Sequence, residues 1–191
     1  MWRKDEPGRW SQLFADLDAQ AEAVLRAEEH GDVAERTRIE VGKLTLADRL
    51  RAAVGRELAV RCVGAGPLLG RLDGVGADWL ELTESTAMES VVPLAAVIAV
   101  CGLGRWSTVV DGVVDRRLGL RSVLRRLSRN RAVVRLVLTD GGTLTGTIDR
   151  VGADFLELAE HAQTAPRRAG AVLRVWTLPL ASLAVVRRPP P

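Results

Sequence analysis

Seven arginines, Arg116, Arg117, Arg121, Arg125, Arg126, Arg129 and Arg131, fall within sixteen residues that contain no acid. A guanidinium stays charged at every physiological pH, and its planar fork of donors matches a phosphate group. Residues 118–130 carry Leu120, Val123, Leu124 and Leu127 at helical spacing, which predicts a helix. On that helix Arg121, Arg125 and Arg129 recur one turn apart on one side, and Arg117 extends the row. A row of this kind suits a nucleic-acid backbone. It equally describes the solvated face of an amphipathic helix, or a surface that holds an acidic partner, the acidic N-terminal stretch of this chain included. Arg167 and Arg168 add charge to the same region, as do Arg187 and Arg188. The candidate nucleic-acid-binding set is therefore Arg116, Arg117, Arg121, Arg125, Arg126, Arg129, Arg131, Arg167 and Arg168.

Other chemistry finds less support. Trp79 and Phe155 could each stack a base, although a large aromatic beside leucine is more often core. Gly64-Ala-Gly66-Pro-Leu-Leu-Gly70 has the glycines of a phosphate loop but lacks its Lys-Ser/Thr and a following helix; it predicts a hairpin turn. Cys62 and Cys101 predict buried free thiols on neighbouring strands. His30 and His161 lie in polar surroundings with no nucleophile near them in sequence. No Ser-His-Asp set, carboxylate pair or metal-ligand spacing is present, so the expectation is a non-enzyme without a metal or cofactor.

The 191 residues have a formal charge of +3, unevenly spread. Residues 1–40 carry 6 basic and 10 acidic residues, and residues 116–191 carry 14 and 5. The basic residues are 25 Arg and 2 Lys, a bias that genome composition produces as readily as function. No apolar run reaches the roughly 18–20 residues that span a bilayer. The first residues lack the apolar core of a signal peptide. A cytoplasmic protein with no membrane contact is expected.

An internal repeat organises the rest. Gly70–Glu84 (GRLDGVGADWLELTE) and Gly146–Glu160 (GTIDRVGADFLELAE) match at ten of fifteen positions, 76 residues apart. Pro93-Leu-Ala-Ala-Val and Pro179-Leu-Ala-Ser-Leu then match at an offset of 86, so the second copy carries ten extra residues around 161–170. Each copy predicts five short strands: β-branched runs, a turn at Asp140-Gly141-Gly142, and a proline where strand four hands over to strand five. Five bent strands in so few residues predict a small closed barrel. A helix precedes each, the first opened by Thr45-x-x-Asp48 and stopped by Gly55. Leu13, Leu17, Ala21, Val24 and Leu25 predict a further amphipathic helix. The fold class is thus mainly β with helices. The expected domains are an N-terminal helical arm at 1–44, a first barrel unit at 45–103, a linker at 104–115, a second barrel unit at 116–188 and a tail at 189–191.

Leu138-Thr-Asp-Gly141, Gly146-Thr-Ile148 and Asp154-Phe-Leu-Glu-Leu158 resemble the first motif of Sm-like proteins, over roughly residues 46–101 and 122–186. The chain as a whole resembles a family of actinobacterial proteins with duplicated Sm-like barrels, often labelled Fis-family transcriptional regulators. The resemblance implies two tandem five-stranded Sm-like barrels and an association with RNA or DNA, RNA slightly favoured. Cys101-Gly102 and Arg187-Arg188 stand where Sm proteins carry an Ile-Arg-Gly-like strand, and a β-branched run stands where a Fis-type protein carries a helix-turn-helix. The alternative is an interaction module or scaffold, with the barrels packed together and the N-terminal helix recruiting a partner or making a homo-oligomer.

Overall fold

The computed structural model describes residue 20 and residues 41–85, 87–104, 118–162 and 172–188. The chain divides into two compact units, Met1–Leu44 and Thr45–Pro191. In the first unit residues 41–43 are helical. The rest of the expected N-terminal helix lies outside the described residues, as do residues 105–117, 163–171 and 189–191.

The unit from Thr45 onward is mainly β. Its elements are α1 (Leu46–Arg51), β1 (Glu57–Cys62), β2 (Gly66–Val75), β3 (Trp79–Glu84), β4 (Glu89–Pro93), β5 (Val97–Cys101), α2 (Leu120–Arg129), β6 (Val133–Leu138), β7 (Thr143–Val151), β8 (Phe155–Glu160), β9 (Arg174–Pro179) and β10 (Leu183–Arg188). The local signals act as their chemistry requires. Thr45 and Asp48 form a capping box on α1, the Asp48 amide donating to Thr45 Oγ1 at 3.1 Å and the Thr45 amide to Asp48 Oδ2 at 3.2 Å. Gly141 takes φ 89° in the β6–β7 turn, a conformation that glycine adopts without a Cβ penalty. Pro93 and Pro179 each end a strand, and a single 3-10 turn follows before the next one.

The ten strands form one antiparallel sheet in the order β5-β1-β2-β3-β4-β10-β6-β7-β8-β9. The two halves repeat each other down to their irregularities. The ladder shifts between Leu72 and Gly74 in β2, and between Ile148 and Arg150 in β7, 76 residues on. A bulge of this type bends a strand and increases its twist. Gly70 and Gly146 also correspond, and a Cβ on either would run into the backbone of the paired strand, at Thr83 and Ala159 respectively.

Two closed barrels were the expectation, and here the structure differs. The fourth strand of the first half pairs with the fifth strand of the second: β4 and β10 meet with Val91 opposite Val186, Ser90 opposite Arg187 and Glu89 opposite Arg188. The strands therefore make one continuous sheet that does not close on itself. The physical reason is that the backbone edge of β4 is taken up by β10 of the other half and so does not close on its own half. Two ion pairs seal this junction: Arg187 with Glu84 at 3.0 Å, and Arg188 with Glu89 at 2.7 Å. Ser90, fully buried, also donates to Glu84. The cores interlock as well. Val137, Ala184 and Val185 of the second half join the core built on Leu50, Leu68, Leu72 and Leu80. Trp79 and Val91 of the first half join the core built on Leu124, Leu136, Ile148 and Leu158.

Candidate nucleic-acid interface

Helix α2 is amphipathic in the way its spacing predicts. Leu120, Leu124 and Leu127 are buried, while Arg121, Arg125, Arg126 and Arg129 are exposed. Gly119, the residue that caps it, has no side chain to satisfy the first amides. The first half supplies the cap. Asp78 Oδ1 accepts from the Leu120 amide at 2.6 Å. Beside it Trp79 Nε1 donates to the Leu118 carbonyl at 2.8 Å, and the Ala77 amide donates to the same carbonyl at 3.1 Å. The β2–β3 loop thus holds the start of α2 and fixes the direction of the arginine face.

Arg121, Arg125 and Arg129 span about 12 Å along the helix at 1.5 Å per residue. Among the described residues no carboxylate lies within ion-pair distance of these three or of Arg126. Arg121 reaches the Ala153 carbonyl at 3.5 Å, and Arg129 Nε the Arg125 carbonyl at 3.4 Å. Both are weak contacts that leave donors free. Arg125, Arg129 and Arg150 line an open cleft of about 720 Å³ with Ser122, Ser128, Asp149 and Val151. Arg150 contributes less free charge, because Glu157 lies 3.6 Å from it.

A second cleft, of about 360 Å³, lies on the other side of α2 between the helix and the first half. Asp73, Trp79, Glu81, Arg126 and Arg129 are among its residues. Burial pushes the Glu81 carboxyl above its ordinary range, Glu89 adds to the effect, and Arg126 opposes it. Arg126 is thus close enough to Glu81 to act on its charge, whereas Arg125 shares the first cleft with Asp149.

The predicted set separates accordingly. Arg121, Arg125, Arg126 and Arg129 come together on α2. Arg131, which takes φ 51° just beyond the helix, pairs with Asp149 at 3.1 Å. Arg116, Arg117, Arg167 and Arg168 lie outside the described residues. Arg187 and Arg188 serve the β4–β10 junction instead of a binding surface. Trp79 is 8% exposed and belongs to the core, while its counterpart Phe155 is 37% exposed.

Cys62 and Cys101 lie on the paired strands β1 and β5, as expected, but Cys101 is exposed. His161 is buried, not in open loop surroundings. Its Nδ1 faces the Ala162 carbonyl at 2.9 Å and its Nε2 the Thr147 hydroxyl at 2.8 Å. A carbonyl only accepts, so Nδ1 donates to Ala162; in the neutral tautomer Nε2 then accepts from Thr147.

Sequence reasoning missed the clamp of Asp78 and Trp79 on α2. The available signal was the aromatic at 79 beside an aspartate. Among the described residues no helix is long and apolar enough to cross a membrane, and no group of His, Cys, Asp and Glu is placed to hold a metal ion. Comparison with protein-family models and with curated proteins finds no match.

Proposed function

We propose that the protein is a non-catalytic, cytoplasmic, nucleic-acid-associated regulator that contacts phosphates through the exposed face of α2, with RNA favoured over DNA. The observation that carries this is the row Arg121, Arg125 and Arg129: three exposed guanidiniums at one-turn spacing with no ion-paired carboxylate among the described residues, two of which, Arg125 and Arg129, line a cleft that also holds Arg150 and Asp149. Guanidiniums that no described carboxylate pairs with, on a helix whose start is held by Asp78 and Trp79, offer charge without first breaking an ion pair. Each half, a helix followed by five strands with its first and fifth strands paired, also fits the Sm-like unit that the sequence resembles. That second support is fold analogy and carries less weight.

The alternative, an interaction module, draws on the interlocked cores and the two arginines committed to the junction. The deciding experiment is fluorescence anisotropy of a labelled single-stranded RNA and of a DNA duplex with the Arg121→Glu/Arg125→Glu protein. Strong weakening relative to wild type, with an unchanged circular dichroism spectrum, is expected. Unchanged affinity in the folded double variant refutes the proposal.

A further inference from the structure

Equivalent positions of the two halves differ at one charged pair. In the second half Arg150 stands opposite Glu157 across the β7–β8 ladder, and the two form an ion pair at 3.6 Å. In the first half, 76 residues earlier, Gly74 stands opposite Glu81. The glycine brings no cation, and Glu81 Oε2 lies 3.8 Å from the place a Cβ at 74 would take. Among the described residues no donor comes within hydrogen-bond or ion-pair distance of the Glu81 carboxylate. Its acidic neighbours are served: Asp73 by Thr83 and Arg71, and Glu89 by Arg188.

Glu81 is half-buried and lines the cleft of about 360 Å³ between α2 and the first half. Alternation along β3 turns Trp79 and Glu81 toward α2, while Leu80 and Leu82 enter the other core. Trp79, Leu118 and Val123 give the cleft apolar walls, and Arg126 and Arg129 bring guanidiniums to it. A half-buried carboxylate without a donor is an acceptor that costs free energy, and a ligand that brings N–H groups relieves the cost. The volume sits at the small end of the range for small-molecule sites, about 300–1,000 Å³. It has room for a flat heterocycle and not for a helix or a duplex. Ser122 and Arg129 line both this cleft and the one beside Arg125, so a strand lying along the arginine row passes its mouth.

We infer that this cleft takes one unpaired guanine base of a bound strand, Glu81 accepting from its N1–H and N2 amino group while Arg126 donates to O6 and N7. The inference rests on the reading of α2 as the phosphate-binding face. Of the common bases guanine alone offers two adjacent N–H donors on its Watson–Crick edge, which match the two oxygens of a carboxylate. It also carries the acceptor pair O6 and N7 that an arginine fork fits. Adenine and cytosine each offer one amino donor beside an acceptor nitrogen, and uracil one imide donor between two carbonyls. A carboxylate is repelled by those acceptors. The Watson–Crick edge is free only where the base is unpaired, so the cleft selects a single strand. It also gives α2, whose phosphate contacts carry no sequence, a means to choose where it binds.

Anisotropy of labelled oligouridines that carry one central guanosine, inosine, adenosine or cytidine tests this with the full chain. The guanosine strand is expected to bind about 5- to 150-fold more tightly than plain oligouridine. Inosine, which lacks the N2 amino group, is expected to fall between. Glu81→Gln replaces one acceptor oxygen by a donor amide of the same shape. It is expected to bind the guanosine and inosine strands alike, at the affinity wild type has for plain oligouridine, because the arginine row is untouched. Glu157→Gln, at the equivalent but ion-paired position, is expected to keep the preference for guanosine. Guanosine monophosphate separates the two sources of the base. It is expected to compete far more weakly than the strand, since it does not reach along the arginines, and a monophosphate as potent as the strand overturns the assignment to a strand. Equal binding of all the oligouridines, or a guanosine preference that survives Glu81→Gln, overturns the inference and leaves the reading of α2 standing. Absence of binding to every strand overturns both.

Discussion

Replacing Asp78 by alanine removes the side chain that caps α2 from the other half of the sheet. The lost contact is a charge-assisted hydrogen bond of 2.6 Å to the Leu120 amide. Loss of an N-cap costs about 0.5–2 kcal/mol. A carboxylate near a helix N-terminus contributes about 0.3–1 kcal/mol more. The sum is about 1–3 kcal/mol. With a urea dependence of about 2 kcal/mol per molar, the unfolding midpoint should fall by about 0.5–1.5 M. The repeat provides an internal control. Asp154 occupies the equivalent position and is exposed as Asp78 is, but among the described residues no helix amide donates to its side chain, and surface changes without such a contact stay within about 0.5 kcal/mol. Urea titrations followed by tryptophan fluorescence, at protein concentrations where the chain is single, should therefore separate Asp78→Ala from Asp154→Ala. Equal midpoints for the two variants would refute the idea that the first half holds the helix of the second.

Three further outcomes follow from the same structure. Burial raises the Cys62 thiol to about 11, so at mildly alkaline pH a thiol reagent should modify one cysteine of the native chain quickly, Cys101, and the other only on unfolding; rapid modification of both, counted by mass spectrometry, contradicts this. Glu81 has a raised carboxyl in the folded state, so its contribution to stability is fully present below the unfolded-state value and is lost as pH rises through the folded one. Glu81→Gln should then raise the urea midpoint at neutral pH, with the gain fading as pH falls below the ordinary glutamate range; a gain that persists in acid contradicts the sign. Glu84→Gln weakens the Arg187 and Ser90 contacts at the junction and should cost about 1.5–3 kcal/mol, read as a lower melting temperature, while no change would show that the junction does not depend on that carboxylate.

Much of the architecture is legible in the residues because it is local. The ten-of-fifteen repeat, the capping box at Thr45 and Asp48, the turn at Asp140-Gly141 and the prolines at 93 and 179 act within a few positions of themselves. The side of α2 that carries Arg121, Arg125 and Arg129 follows from its leucine spacing. What spacing does not encode is which of two equivalent edges a strand will choose. Strands β4 and β9 hold equivalent places in the repeat, each ending in a proline, and only the three-dimensional arrangement shows that β4 meets β10 while β9 stays at the edge. The same holds for Asp78 and Asp154, identical in sequence context but different in role, because one has a helix to cap. Arg187 and Arg188 look like surface charge until the junction brings Glu84 and Glu89 beside them.

The central claim, a phosphate-binding face on α2, is tested most directly by the salt dependence of nucleic-acid affinity for the unmodified protein. Three phosphate contacts, one for each of Arg121, Arg125 and Arg129, predict a slope of log K against log salt of about −2.1 for a single strand and about −2.7 for a duplex. Between about 50 and about 200 mM salt that is a loss of about 20-fold and about 40-fold respectively. Anisotropy titrations that give a slope in this range, and a shallower one for Arg121→Glu/Arg125→Glu, agree with the account. Affinity that does not change with salt, or no binding at the lowest salt, contradicts it.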